Sequence, residues 1–278
     1  MPMPLGPQIA LVHQPASPAC ADSLVVSTGR PDGLMAMASR PGTGGKIAIE
    51  AADDFILTQP TSITGGTFTG LLLGSGVGLG HSKRYHRVLP RVSQRFGVPT
   101  QRQRSDAREF PFRRGLQFAQ QRHGRSEFIA KVLSNTFTAN NSVLNGINKK
   151  PNQQTLGEGP VTSQEVISSF SISPDLLPSD HYFFVPQVQL SDGEFMWLSV
   201  PKPIVSGTLF TPDLQAWIRN GELAPDWLRV GTDIVGGSPA PTFNASFSVD
   251  GVTATPEPSS LLLLGAGLLG ITLFGRNR

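Results

Sequence analysis

The chain has little of the chemistry that most enzymes and disulfide-stabilised proteins use. It contains one cysteine, Cys20, among 278 residues, so an internal disulfide cannot form. A disulfide-stapled domain is therefore excluded. Only 15% of the residues are Asp, Glu, Lys or Arg, whereas there are 30 glycines and 24 prolines. This composition favours short strands joined by many turns over a helical bundle.

The sequence also lacks the common catalytic and metal-binding motifs. It has no Gly-x-Ser-x-Gly elbow, no His-Glu-x-x-His and no paired cysteines. The alternating glycines from Gly74 to Gly80 do not make a phosphate loop, because Ser82 rather than glycine precedes Lys83. We therefore expect no enzymatic activity, no cofactor and no metal site.

Three residue groups are nevertheless functional candidates. His181 is expected to be a surface or hydrogen-bonded histidine rather than a catalyst. Asp53, Asp54 and Asp192 are hard oxygen donors, but no repeat of spaced acidic residues supports calcium binding, so solvated turn carboxylates are expected. The aromatic residues offer either core packing or, if exposed, stacking on sugar rings; they are Tyr182, Phe183, Trp197, Trp217 and Trp227.

Two long segments, 22–80 and 131–252, alternate as β-strands do. Gly65-Gly66 predicts a bend or bulge in a strand from Ile63 to Leu72. Ser191-Asp192-Gly193 predicts a hairpin turn into a strand at Phe195. The sequence therefore predicts a mostly β fold, an antiparallel β-sandwich resembling a jelly roll, divided between these two segments.

One short helix is expected within this β pattern. Thr211 can cap its start, Pro212 occupies its first turn, and Gly221 follows its end. The predicted helix covers Pro212 to Ile218.

Residues 81–130 interrupt the alternation and are expected to form a basic, irregular insert. Between His81 and Lys131 there are 13 Lys and Arg residues against 3 Asp and Glu residues. Three explanations stay open: a site for nucleic acid or another anionic polymer, a solvated loop, and a stretch that has left its ancestral reading frame. Translation of the gene and its close relatives in all three frames distinguishes the third.

Residues 1–21 have some features of an export signal. Ala19 and Ala21 flank Cys20 in the small-x-small form of a signal-peptidase site. However, no Lys or Arg precedes this site, and the apolar run from Ile9 to Val12 is short. A degraded or atypical signal peptide and a disordered N-terminus both stay open.

The last 23 residues, 256–278, differ in kind from the rest. Pro256, Glu257 and Pro258 precede an uncharged segment, 259–275, that is expected to form a single transmembrane helix. Arg276 and Arg278 follow it and would remain cytoplasmic. Its apolar core consists of Leu261, Leu262, Leu263, Leu264, Gly265, Ala266, Gly267, Leu268, Leu269, Gly270, Ile271, Thr272, Leu273 and Phe274.

This tail resembles the PEP-CTERM sorting signal of Gram-negative bacteria, also labelled the ice-binding-protein C-terminal domain. The tripeptide Pro256-Glu257-Pro258, the apolar run and the two arginines match its three ordered parts. The resemblance implies removal of the tail by an exosortase, a membrane protease. It also implies transient anchoring in the inner membrane, followed by release to the cell surface or extracellular matrix.

The body is similar to other PEP-CTERM proteins through three segments. They begin at Glu50, Phe137 and Asp180, the last reading Asp-His-Tyr-Phe-Phe-Val-Pro. The resemblance implies a non-enzymatic β-rich surface or matrix protein associated with exopolysaccharide; nucleic acid is not an expected partner. The alternative is a secreted carbohydrate-binding module that uses exposed aromatic residues. A surface hydrolase, a third possibility, would need a cleft containing His181 or paired carboxylates.

Overall fold

The computed structural model describes residues 23–74, 85–94, 115–117, 127–147, 154–190, 192–201, 215–223 and 227–253. Fifteen strands lie in these ranges, with a π-helical turn at Val230–Val235. The strands are β1 Ser23–Ser27, β2 Met35–Ala38, β3 Ile49–Leu57, β4 Thr61–Leu73, β5 Tyr85–Gln94, β6 Gly115–Gln117, β7 Glu127–Ala139, β8 Asn141–Val143, β9 Val161–Leu177, β10 Asp180–Leu190, β11 Glu194–Val200, β12 Trp217–Asn220, β13 Leu228–Arg229, β14 Asn244–Ala245 and β15 Phe247–Thr253. The prediction of a mostly β protein is confirmed.

These strands form two sheets. In the first sheet, β4 pairs with β9 along one edge. Along its other edge, β4 pairs first with β15 and then with β11. β7 pairs with the free edge of β9, and β1 pairs with the free edge of β15. The second sheet has the order β13-β12-β3-β10-β5-β6. The second sheet is antiparallel as expected, but the first is mixed because β8 pairs with β2 in parallel. The expectation of a wholly antiparallel sandwich is therefore wrong at this pair, and the jelly-roll connectivity stays a prediction.

Aromatic side chains join the two sheets face to face. Phe184 of the second sheet stacks on Phe247 of the first, with ring centroids 5.2 Å apart, and meets the edge of Trp197 at 5.8 Å. Phe55, from the second sheet, also lies 6.0 Å from Phe247. All four rings are almost completely buried. Burial of such large apolar surfaces is the main source of stability for a sandwich of this kind.

Successive strands repeatedly change sheet. The chain passes from β3 to β4 through Pro60 and from β9 to β10 through Pro178, each time moving between the sheets. The predicted turn before Phe195 is present, with Gly193 at φ +91°. It carries the chain from β10 in the second sheet to β11 in the first, so the two strands do not pair as the hairpin that the sequence predicts.

The predicted bulge in β4 is confirmed. The register between β4 and β9 shifts between Ile63 and Gly65. A side chain at Gly65 would meet the backbone oxygen of Phe170 on β9, and one at Gly70 would meet the ring of Phe195. Glycine at these two positions therefore allows neighbouring strands and an aromatic ring to approach β4 closely.

The predicted helix from Pro212 to Ile218 is wrong at its described end. Trp217 and Ile218 begin β12, where they pair with Ala52 and Ala51 of β3. Residues 211–214 lie outside the described residues. Pairing with β3 and burial of both side chains outweigh a local helical signal of a few turn-forming residues.

Part of the basic segment forms strands. The backbone of 85–94 makes β5, which pairs with nine residues of β10, and the backbone of 115–117 makes β6. A strand can form backbone hydrogen bonds with its neighbour even when its apolar and polar residues do not alternate. The weak alternation of residues 85–94 therefore did not indicate β5. The remainder of 81–126 lies outside the described residues.

The predicted transmembrane helix, 259–275, also lies outside the described residues. Among the ranges that the structure describes, there is no helix with the length and hydrophobicity needed to span a bilayer.

Candidate functional site

The tail follows directly from a strand inside the first sheet. β15 is paired with β1 on one side and with β4 on the other, and Thr253, its last residue, lies opposite Thr61. Phe247 and Val249 of β15 are buried. Residue 254 is thus attached to a strand that is held on both edges and buries side chains in the core.

The N-terminal strand starts at the same end of this sheet. Ser23, the first residue of β1, lies opposite Gly251 of β15. Leu177, the last residue of β9, lies opposite Thr61 on the other side of β4. We refer to this edge, formed by Ser23, Thr61, Leu177 and Thr253, as the terminal end. The predicted export signal and the predicted sorting tail both join the body there.

The predicted sorting and cleavage residues themselves lie outside the described residues. They are Ala19, Ala21, Pro256, Glu257, Pro258, the apolar run from Leu261 to Phe274, Arg276 and Arg278. Their sites of attachment, at Ser23 and Thr253, are described.

His181 is hydrogen-bonded, as the sequence predicts. Its Nε2 lies 2.7 Å from Oδ2 of Asp54, and its ring stacks on Phe183 at a centroid distance of 5.2 Å. The other oxygen of Asp54 accepts a hydrogen bond from the backbone N–H of Gln215 at 3.0 Å. Burial raises the pKa of Asp54, although the bond to His181 opposes this effect. The pair joins β3, β10 and the segment that enters β12.

The carboxylate of Asp53 points to the opposite face of β3. Its Oδ2 accepts a hydrogen bond from the backbone N–H of Ala245 at 2.5 Å, and its Oδ1 accepts one from Asp54 at 3.0 Å. Asp53 is 1% exposed, so it is a buried link between the sheets rather than a solvated turn carboxylate. Because Asp53 and Asp54 face opposite sides of the strand, they do not form a joint calcium site. Over the described ranges, no group of three His, Cys, Asp or Glu side chains could hold a metal ion.

The aromatic residues that could have stacked on sugar rings are buried. The exposed fraction does not exceed 5% for any of them; they are Tyr182, Phe183, Trp197, Trp217 and Trp227. Trp197 donates its indole N–H to the backbone oxygen of Ser246 at 2.8 Å, inside the sandwich. The premise that these five side chains form an exposed carbohydrate-binding surface is therefore wrong.

Sequence reasoning missed Glu158, a loop carboxylate that accepts several backbone hydrogen bonds. Its Oε1 accepts hydrogen bonds from the backbone N–H groups of Leu144, Asn145 and Gly146. Burial opposes ionisation of Glu158, but these donors lower its pKa overall. Gly157 and Gly159 flank it, both at φ +83°, and that Gly-Glu-Gly sequence was the available signal of an unusual turn.

Comparison with known proteins identifies the tail. Residues 254–278 match the family model of the PEP-CTERM protein-sorting motif, so the matched region begins at the residue after Thr253. This match confirms the resemblance of the tail and supports an exported protein that is sorted by an exosortase. No curated protein and no solved structure matches the chain.

Proposed function

We propose that the chain is a non-enzymatic exported protein whose C-terminal tail sends it to the cell envelope of a Gram-negative bacterium, where an exosortase removes the tail. The body then remains at the cell surface or in an exopolysaccharide-rich extracellular matrix. The observation that carries this proposal is the sorting motif at 254–278, which starts where the last described strand ends.

The chemistry of the tail supports temporary anchoring. The run from Leu261 to Phe274 has 14 residues without a charge, and Ser259, Ser260 and Gly275 lengthen the uncharged stretch. That length approaches the roughly 20 residues of a membrane-spanning helix. Arg276 and Arg278 favour a cytoplasmic C-terminus, which places the body outside the inner membrane.

The fold supports release of an intact body. Each of the strands that the structure describes ends at or before Thr253, and the predicted recognition tripeptide begins at Pro256. Cleavage at or beyond the tripeptide therefore leaves β15 and its pairs with β1 and β4 in the product. A body with a large aromatic core suits a structural or adhesive role in a matrix.

The polar groups near His181 support a non-enzymatic body. The Asp54 carboxylate bonds to both His181 and the N–H of Gln215, and Asp53 bonds across the sandwich to Ala245. These carboxylates have structural roles that explain their burial. The role of the body is thus proposed to lie in its surface and stability, not in a reaction.

Processing in an exosortase-bearing host tests the proposal. The body should lose its tail, seen as a smaller mass of the surface fraction, when the chain carries either its own residues 1–21 or a working signal peptide in their place. Changing Pro256, Glu257 and Pro258 to alanine should prevent this loss. Arg276→Lys with Arg278→Lys is the matched control, because it keeps the positive charge and should be processed normally. Equal processing of the triple-alanine chain would contradict the proposal.

A further inference from the structure

The outer face of the first sheet carries exposed leucines at the terminal end. Leu24 on β1 and Leu176 on β9 are each 62% exposed. They flank β15 and β4, the two strands between them, and Val252 of β15 lies in the same row as Ser62 and Leu176. We name Leu24, Val252 and Leu176 the leucine band.

The burial pattern places the leucine band on one face. In β15, Val249 and Gly251 are buried, so Asp250 and Val252 face the other way, and Leu24 lies opposite Asp250. In β9, Leu177 is buried, so Leu176 also faces outward. Leu24, Val252 and Leu176 therefore share the outer face of the sheet, on β1, β15 and β9. Leu24 lies opposite Asp250, two residues along β15 from the row of Val252, Ser62 and Leu176, and all three are close to where both chain ends join the body.

The length of the tail fixes how far this band can be from a membrane that holds the tail. Residues 254–260 separate Thr253 from Leu261, where the apolar run begins. Seven extended residues span no more than about 25 Å. The opposite end of the sheet is much farther away, because the 13 residues of β4 add roughly 40 Å. When the strands stand perpendicular to the bilayer, residues 254–260 are therefore long enough to hold the terminal end, but not the opposite end, close to the membrane surface.

We propose that the leucine band contacts the outer surface of the bilayer while the tail is inserted. This inference rests on the proposed function, because without an inserted tail nothing brings the band to lipid. Two exposed leucines at the membrane-proximal end gain by entering the apolar side of the headgroup region. The contact holds the strands upright and keeps the segment from 254 to 260 at the membrane surface, where a membrane protease acts.

The side chains of the leucine band are uncharged, so their contact with lipid does not require anionic headgroups. Asp250, which shares the outward face with Leu24 and Val252, offers no attraction to such headgroups either. Vesicles of phosphatidylcholine are therefore the appropriate probe.

Single tryptophan substitutions in the full chain test the contact. Leu24→Trp and Leu176→Trp place a fluorophore in the band, and Leu133→Trp and Leu156→Trp are matched controls. Leu133 is 49% exposed on β7, next to residues that pair with Val166 and Glu165 of β9, toward the far end of the sheet. Leu156 is 66% exposed in a loop, and its backbone oxygen accepts a hydrogen bond from Asn141 of β8, a strand that β11 and β2 separate from β4. The native tryptophans are buried and give a constant background. In vesicles containing brominated phosphatidylcholine, emission from positions 24 and 176 should be shifted to the blue and quenched, whereas emission from positions 133 and 156 should not change.

The outcomes distinguish failure of the proposed anchoring by the tail from failure of the proposed contact between the leucine band and lipid. A full chain that does not float with vesicles overturns the proposed anchoring and this inference with it. A chain that floats but shows no more quenching at 24 and 176 than at 133 and 156 overturns the inference alone. Quenching that is absent while a blue shift grows with protein density shows that a second copy covers the band, and also overturns it. If a tryptophan variant does not fold, Leu176→Cys in a Cys20→Ser chain, labelled with an environment-sensitive dye, gives the same measurement.

Discussion

His181 and Asp54 lie 127 positions apart in the sequence, yet Nε2 of the histidine is 2.7 Å from Oδ2 of the aspartate. Neighbouring strands of the second sheet bring them together, since His181 lies opposite Ile56 and Phe183 opposite Asp54. The aspartate is 3% exposed, so its charge is costly unless the histidine or a backbone donor compensates it. The pair therefore links β10 to β3 through a buried carboxylate whose pKa is raised by burial.

Asp54→Asn should reduce the pH dependence of stability. Burial raises the pKa of Asp54 above its ordinary value of 3.8, so its neutral form favours folding. That stabilisation is fully present below pH 3.8 and is lost as pH rises through the raised pKa. Asparagine stays neutral and can still accept the N–H of Gln215. Urea unfolding at several pH values should show native stability falling relative to the variant as pH rises.

Asp175→Asn is the control for that measurement, because it removes a partly exposed carboxylate from β9 rather than a buried one. It checks whether the loss of any one carboxylate, rather than of the buried Asp54, produces the effect. Parallel stability curves for the native chain and Asp54→Asn would show that the Asp54 link does not respond to pH.

Asp53→Ala should destabilise the sandwich by about 1–3 kcal/mol, the cost of leaving a buried donor unsatisfied. The affected donor is the N–H of Ala245, which bonds to Asp53 Oδ2 at 2.5 Å in the interior. Asp53→Asn keeps an oxygen acceptor of the same shape, so its loss should be smaller. The midpoint of urea unfolding, with an unchanged slope, measures both. Equal losses for the two variants would indicate that side-chain shape, not the hydrogen bond, matters at this position.

Local sequence patterns correctly indicated local features. The Thr, Phe and Leu content of Ile63 to Leu72 predicted a strand, Gly65-Gly66 predicted its bulge, and Asp192-Gly193 predicted a turn. The sorting motif was also readable, because its tripeptide, apolar run and arginines are contiguous. In each case, the residues that determine the feature lie within one short segment of the chain.

Features that depend on distant residues were not readable from one sequence. The turn at Gly193 does not reveal that β10 and β11 belong to different sheets. The residues next to Trp217 in the sequence favour a helix, but Trp217 pairs as a strand with Ala52, which is far away in the sequence. For the same reason, Asp53 looked like a turn carboxylate, although its hydrogen-bond partner is Ala245. Strand pairing decides which face of the sheet such residues occupy and therefore whether they are buried.

Glu158→Gln should lower stability near neutral pH and have little effect in acid. Burial opposes ionisation of Glu158, but the N–H groups of Gly146, Leu144 and Asn145 bring its pKa below the ordinary 4.5. The ionised group therefore contributes stability above pH 4.5 that is lost as pH falls through the lowered pKa. Glutamine keeps the shape and an oxygen acceptor but has no charge, so its hydrogen bonds from these donors are weaker. The difference in thermal midpoint between the native chain and Glu158→Gln should thus be greater at neutral pH than in acid, and it should vanish below the lowered pKa. A difference that persists unchanged into acid would mean that the carboxylate charge does not stabilise this loop.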